Sequence, residues 1–178
     1  MRLAKALLVA LIALVALVIA GGLLIPPRFS VVRSVSIDAP PERVYALVAN
    51  PRAWPQWSAW HQRDPAMKID YSGPATGAGA AWAWHSASEG EGEMTFTAAE
   101  PDRRLAFALS FPDFGTTSTG ELALAATPAG ATRVTWTLDG DMGASPPLRW
   151  MALLADDLVG KDFEAGLGRL KALAEATR

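Results

Sequence analysis

The chain has 178 residues, 51% of them apolar and 19% charged, with a net charge of −2 and no cysteine. That composition supports one folded domain plus an appendage and argues against general disorder. Without cysteine, thiol catalysis, disulfides and thiolate metal ligands are excluded, and with no basic run longer than two residues a nucleic-acid partner is not expected.

The N-terminus is the most hydrophobic stretch. Twenty consecutive residues, 6–25, carry no charged or strongly polar side chain. As a helix they span roughly 30 Å, the thickness of a bilayer's hydrocarbon core. Arg2 and Lys5 precede the run, and Pro26-Pro27 ends it with a stiff elbow. We read residues 1–27 as an uncleaved transmembrane anchor and linker. The alternative is a signal peptide cleaved after Val18-Ile19-Ala20, against which the run continues through Leu23, Leu24 and Ile25. The positive-inside rule puts the N-terminus in the cytoplasm and the domain on the outer, periplasmic side of a single-pass membrane protein; Arg28 and Arg33 weaken that assignment. Cleavage would instead give a secreted domain.

Residues 28–178 read as one α+β domain. Val31, Val35 and Ile37 alternate with Ser34 and Ser36, a strand with one apolar face. Arg33 falls on the apolar parity, either snorkelling to solvent or standing at a pocket rim as a cation for an acidic ligand. Asp38-Ala-Pro-Pro-Glu42 has the capping carboxylate, early prolines and early acid of a helix start. Trp54, Trp57 and Trp60 then recur every third residue, on one side of a short helical turn. They either wedge the helices against a sheet, as expected for Trp54, or line a wall for a flat or oily ligand. For Trp57 and Trp60 both readings stand.

Strand patterns follow in close succession. Met67, Ile69 and Tyr71 alternate up to Gly73-Pro74; Trp82 and Trp84 share a face; Gly92, Met94, Phe96 and Ala98 alternate with polar residues. Leu105, Phe107, Leu109 and Phe111 form another apolar face. Thr117–Ala126 is a polar-rich strand, and Val134, Trp136 and Leu138 mark the last one after the Pro128-Ala-Gly130 turn. Short turns between consecutive strands imply antiparallel pairing. The segment from about Pro147 to Ala176 is an amphipathic helix with Met151, Leu154, Leu158, Phe163, Leu167, Leu170 and Ala174 along one stripe. Gly160, Gly166 and Gly168 interrupt it, each costing about 1 kcal/mol against Ala, so something must approach closely there or a void must lie beneath. A long sheet rich in Gly and Ala curves, and the helix is expected to cover its concave face above a pocket.

Several segments together resemble a known family: Ile37-Asp-Ala-Pro-Pro-Glu-Arg-Val44, Asn50-Pro51 with Trp54-Pro-Gln-Trp-Ser-Ala-Trp60, the Gly79–Trp84 strand, Thr132-Arg-Val-Thr-Trp136, and Gly160-Lys-Asp-Phe163 through Lys171. They look like the polyketide cyclase/dehydrase branch of the SRPBCC (START-like) superfamily, over roughly Phe29 to Glu175. The resemblance implies the helix-grip fold, a curved antiparallel sheet of about six to seven strands wrapped on a long C-terminal helix, with a deep cavity between them. Members include lipid and hormone binders and aromatic cyclases, so the resemblance is unspecific for function.

Chemistry is sparse. His61 and His85 are the only histidines, neither at a metal-ligand spacing, and no nucleophile elbow or dinucleotide loop is present. No catalytic residue, metal or cofactor is assigned. An enzyme would have to draw its acid–base group from Arg33, His61, Asp70 or Tyr71. Glu89, Glu91 and Glu93 read as a solvent-facing acidic edge. The expected function is a membrane-tethered domain binding a hydrophobic small molecule, lipid-like or aromatic, through Trp57, Trp60, Tyr71, Trp84, Met94, Phe96, Phe107, Trp136, Phe163 and Arg33. A cyclase/dehydrase-like enzyme and a ligand-free scaffold are the alternatives.

Overall fold

The computed structural model describes residues 2–112 and 115–176. Helix α1 (Arg2–Leu24) leads into strand β1 (Arg28–Ile37). Helix α2 (Pro41–Val48), a 3₁₀ turn (Pro51–Ala53) and the short helices α3 (Trp54–Trp57) and α4 (Ala59–Arg63) follow. Six strands come next: β2 (Lys68–Ser72), β3 (Ala81–Ser86), β4 (Gly90–Glu100), β5 (Arg104–Phe111), β6 (Thr116–Ala126) and β7 (Thr132–Asp141). Helix α5 (Pro146–Ala176) closes the chain. All seven strands pair antiparallel in one sheet of order β1-β7-β6-β5-β4-β3-β2, so β1 and β2 form opposite edges, and the connection through α2, α3 and α4 carries the chain from one edge to the other. This is the α+β, helix-grip arrangement, with α5 running over β1 and the concave face.

The sheet bends because of what its concave face carries. Three aromatic residues lie directly opposite glycines on neighbouring strands: Phe29 with Gly140, Trp84 with Gly92, and Phe107 with Gly120. A Cβ at Gly92 would come within 2.2 Å of the Trp84 ring, and one at Gly140 within 2.3 Å of Phe29. Each glycine therefore leaves room for a large ring to lie across the adjacent strand, which curves the sheet and keeps the pair packed. A register shift between Phe96 and Ala98 adds a bulge in β4.

The core is built around tryptophan. Trp54 is 1% exposed, and its ring centroid lies 4.4 Å from Trp57, 5.1 Å from Trp82 and 5.7 Å from Trp136. Its indole N–H donates to the Val48 carbonyl at 2.8 Å, and that of Trp57 to the Leu47 carbonyl at 3.4 Å. These two rings thus satisfy carbonyls left open at the end of α2 while burying a large apolar area.

Two local readings of the sequence change. Asp38 does not cap α2: Pro40 stands at the cap position without a side-chain bond, and the Asp38 N–H instead donates to Glu175 Oε1 of α5 at 2.7 Å. The buried stripe of α5 begins later than its periodicity implies, at Ala155, and continues through Gly160, Phe163, Gly166, Leu167, Leu170 and Ala174. Met151, Leu154 and Leu158 are 43%, 49% and 53% exposed. Met151 and Leu158 border the cavity rather than the packed core, which leaves them partly exposed.

Candidate functional site: an apolar cavity between α5 and the sheet

The concave face and α5 enclose a cavity of about 320 Å³, within the range of small-molecule pockets. The sheet contributes Phe29, Trp82, Trp84, Met94, Phe107 and Trp136; α3 and α4 contribute Trp54, Trp60 and His61; α5 contributes Met151, Ala155, Leu158, Val159 and Phe163. Trp136 and Phe163 stack with centroids 3.9 Å apart and planes at 7°. Trp60 meets both rings edge-on, at 6.1 and 6.3 Å. Gly166 faces this stack, since a Cβ there would sit 3.2 Å from Trp136 Cζ3.

Of the ten residues named from the sequence as ligand contacts, Trp60, Trp84, Met94, Phe107, Trp136 and Phe163 line the cavity. The other four lie elsewhere. Trp57 and Phe96 are wholly buried in the core beneath it. Tyr71 stands in a separate small cleft with Arg52 stacked 4.3 Å above its ring. Arg33 does not line the cavity, and its head is turned outward into an exposed ion pair. Its guanidinium reaches α5, donating from Nε to Glu164 Oε1 at 2.6 Å and from Nη1 to Asp156 Oδ1 at 2.8 Å. That side chain explains Gly160, where a Cβ would lie 2.1 Å from Arg33 Nη2. The paired charges hold the Asp156 carboxyl below the usual carboxylate range and the arginine above its own.

Among the four residues offered for acid–base work, His61 alone lines the cavity. Asp70 is on the exposed face of β2. Asp64 accepts from Ser86 Oγ at 2.6 Å and from the Ala66 N–H at 2.9 Å. His61 is a half-buried residue of α4, and desolvation lowers its pKa. The expected acidic edge also divides. Glu91 pairs with the exposed His85 at 3.0 Å, whereas Glu89 turns inward to line the cavity and takes a two-pronged contact from Arg63, at 3.0 and 2.8 Å. Arg63 also bonds Asp162, tying α4, the β3–β4 turn and α5 together beside the cavity.

Among the described residues, three buried side-chain polar atoms have no protein partner: Ser58 Oγ, His61 Nδ1 and Trp136 Nε1. All three residues line the cavity. Ser58 and His61 are three residues apart on one turn, and Trp136 packs on Trp57 and Trp60 on either side of Ser58. Ser58 stands at the N-cap of α4 without capping it. Buried polar groups normally find partners, so three unmatched atoms on residues of one cavity wall stand out. The sequence holds no periodic signal for them. Among the described residues, no cluster of His, Asp and Glu is disposed to hold a metal.

This fold and cavity define a helix-grip domain, and the sequence family agrees. The model for "Polyketide cyclase / dehydrase and lipid transport" matches residues 28–175, and the chain belongs to that family. Solved structures share the fold at low identity. A Chromobacterium violaceum protein is 20% identical with a TM-score of 0.58, over 82% of this chain and 96% of its own. A Rhizobium leguminosarum protein is 20% identical with a TM-score of 0.62, over 84% and 95%. The di-domain ARO/CYC BexL from the BE-7585A biosynthetic pathway is 22% identical with a TM-score of 0.60, over 85% of this chain and 52% of its own. No curated protein matches by sequence.

Proposed function

We propose that the protein is a membrane-tethered binder of a hydrophobic small molecule, held between α5 and the sheet. The observation that carries this reading is the cavity itself, large enough for a ligand and walled almost wholly by aromatic and aliphatic side chains. The unmatched Ser58, His61 and Trp136 atoms refine the ligand class. An indole N–H only donates, so the ligand is apolar with an oxygen acceptor, such as a carbonyl or hydroxyl, that can meet Trp136. Tethering is supported by α1, a 23-residue, mostly apolar helix in which only Gly22 is buried and which is long enough to cross a bilayer. The same helix, near the N-terminus, also has the length and composition of a signal sequence.

Native mass spectrometry of the full chain, with organic extraction of the same sample, tests the binding reading. The expected result is a stoichiometric, oxygen-bearing apolar molecule. Ser58→Ala should weaken its retention by roughly 2- to 10-fold while leaving the ligand-free fold at least as stable, because an unpaired buried hydroxyl is removed. An empty protein that also ignores a panel of hydrophobic dyes would leave a scaffold as the better description. A cyclase- or dehydrase-like activity is a second reading, favoured by His61 facing the cavity. Loss of turnover in His61→Ala with binding intact would select it.

A further inference from the structure

The cavity opens at the same end of the domain from which α1 leaves. Phe29, two residues beyond Pro27, lines it, and so does Met142, whose N–H donates to the Pro27 carbonyl at 2.9 Å. Phe111, Thr116 and Asp141, the strand termini at that end of the register, complete the rim. The first turns of α5 cross this opening and pack on α1. Trp150 Nε1 donates to the Val18 carbonyl at 3.0 Å, and a Cβ at Gly21 or Gly22 would strike Trp150 or the Pro146 carbonyl. Val18 lies six residues before the end of α1, about 9 Å along its axis.

Beside that contact, Trp150, Met151, Leu153, Leu154 and Leu158 are 40–58% exposed. Between Asp141 and Asp156 the only charged residue is Arg149, and its guanidinium reaches the Gly143 carbonyl at 3.2 Å. An apolar, nearly uncharged surface continuous with a bilayer-length helix, carrying a tryptophan at the junction, has the character of a membrane interface.

We infer that the first three turns of α5 lie in the bilayer surface beside α1, so that the cavity mouth faces lipid and an apolar ligand passes between membrane and cavity without crossing water. This rests on the tethered reading above. Met151 and Leu158 are both exposed and cavity-lining, and they form the threshold. Recognition is by apolar area rather than by headgroup chemistry.

The absence of cysteine makes single-site labelling direct. Full-length Leu154→Cys, Leu11→Cys and Ala129→Cys, each carrying an environment-sensitive fluorophore, are reconstituted in phosphatidylcholine vesicles. Each is then quenched with doxyl-labelled lipid or with aqueous iodide. Ala129 is exposed in the β6–β7 turn, at the far end of the sheet from α1. The expected result is that the Leu154 and Leu11 probes lose most of their emission to doxyl lipid and little to iodide, with the reverse at Ala129. Quenching of Leu154 by iodide alone, with Leu11 still quenched by lipid, would overturn the inference and keep the anchor. Shielding of Leu154 from both quenchers would also overturn it, placing a protein surface such as a second copy on this face. Failure of lipid to quench Leu11 would overturn the anchor itself.

Discussion

His61 shows how position gives an ordinary side chain its chemistry. Its imidazole is held among tryptophans at the cavity wall, and desolvation disfavours the charged form. Its folded pKa therefore lies below the usual histidine value of about 6.5. Between those two values the unfolded chain binds more protons than the folded one, so stability rises with pH. Stability should fall as pH drops through about 6.5 and should level off once pH passes below the depressed folded pKa. Urea unfolding at a series of pH values, compared with His61→Gln, measures this. The variant should lose that part of the slope, and an unchanged slope would show that His61 does not supply it. Ser58 and Trp136 line the same cavity, each with a buried polar atom that has no partner within the protein.

Helix α5 combines three glycines with three different surroundings. Gly160 makes room for the Arg33 guanidinium, Gly166 approaches Trp136, and Gly168 faces open space, with nothing within 4 Å of where a Cβ would stand. Alanine restores about 1 kcal/mol of helix propensity wherever its methyl is accommodated. Gly168→Ala should therefore stabilise the protein by about 1 kcal/mol, read from denaturant midpoints. Gly160→Ala should give less than this, because its methyl displaces Arg33 from Asp156 and Glu164. In an Arg33→Ala background the full gain should return, a coupling that a double-mutant cycle isolates. In the sheet the aromatic–glycine pairs play the complementary part. They set the curvature that makes a cavity, and their rings Phe29, Trp84 and Phe107 then line it.

As a whole the molecule is asymmetric. One end, at Ile37 and the β6–β7 turn, is closed by the core; the other carries the mouth, α1 and the exposed first turns of α5. Removing residues 2–24 takes away the partner of Trp150 and leaves five large apolar side chains uncovered. The remaining chain should associate in detergent-free buffer, seen by size-exclusion chromatography with light scattering, and detergent should disperse it. Leu154→Gln with Leu158→Gln should restore a monomer. A monomeric truncated chain without detergent would mean that this face needs no cover.

Much of this architecture was legible along the chain because it is periodic. Alternation marked the strands, the 3.6-residue repeat marked α5, and an uninterrupted apolar run marked α1. Of the six residues read as ligand contacts that line the cavity, Trp84, Met94, Phe107 and Trp136 do so for the same reason, since inward parity on a concave sheet points there, while Trp60 and Phe163 reach it from α4 and α5. Periodicity reports which face a side chain takes and carries no information on what lies opposite. The pairing of Arg33 with α5, the inward turn of Glu89, the unmatched hydroxyl of Ser58, and the seat of Trp150 on α1 join residues 26 to 132 positions apart or unrelated in pattern. Those contacts exist only once the chain has closed on itself, because separation along the sequence limits how far apart two residues can lie and does not say which of them meet.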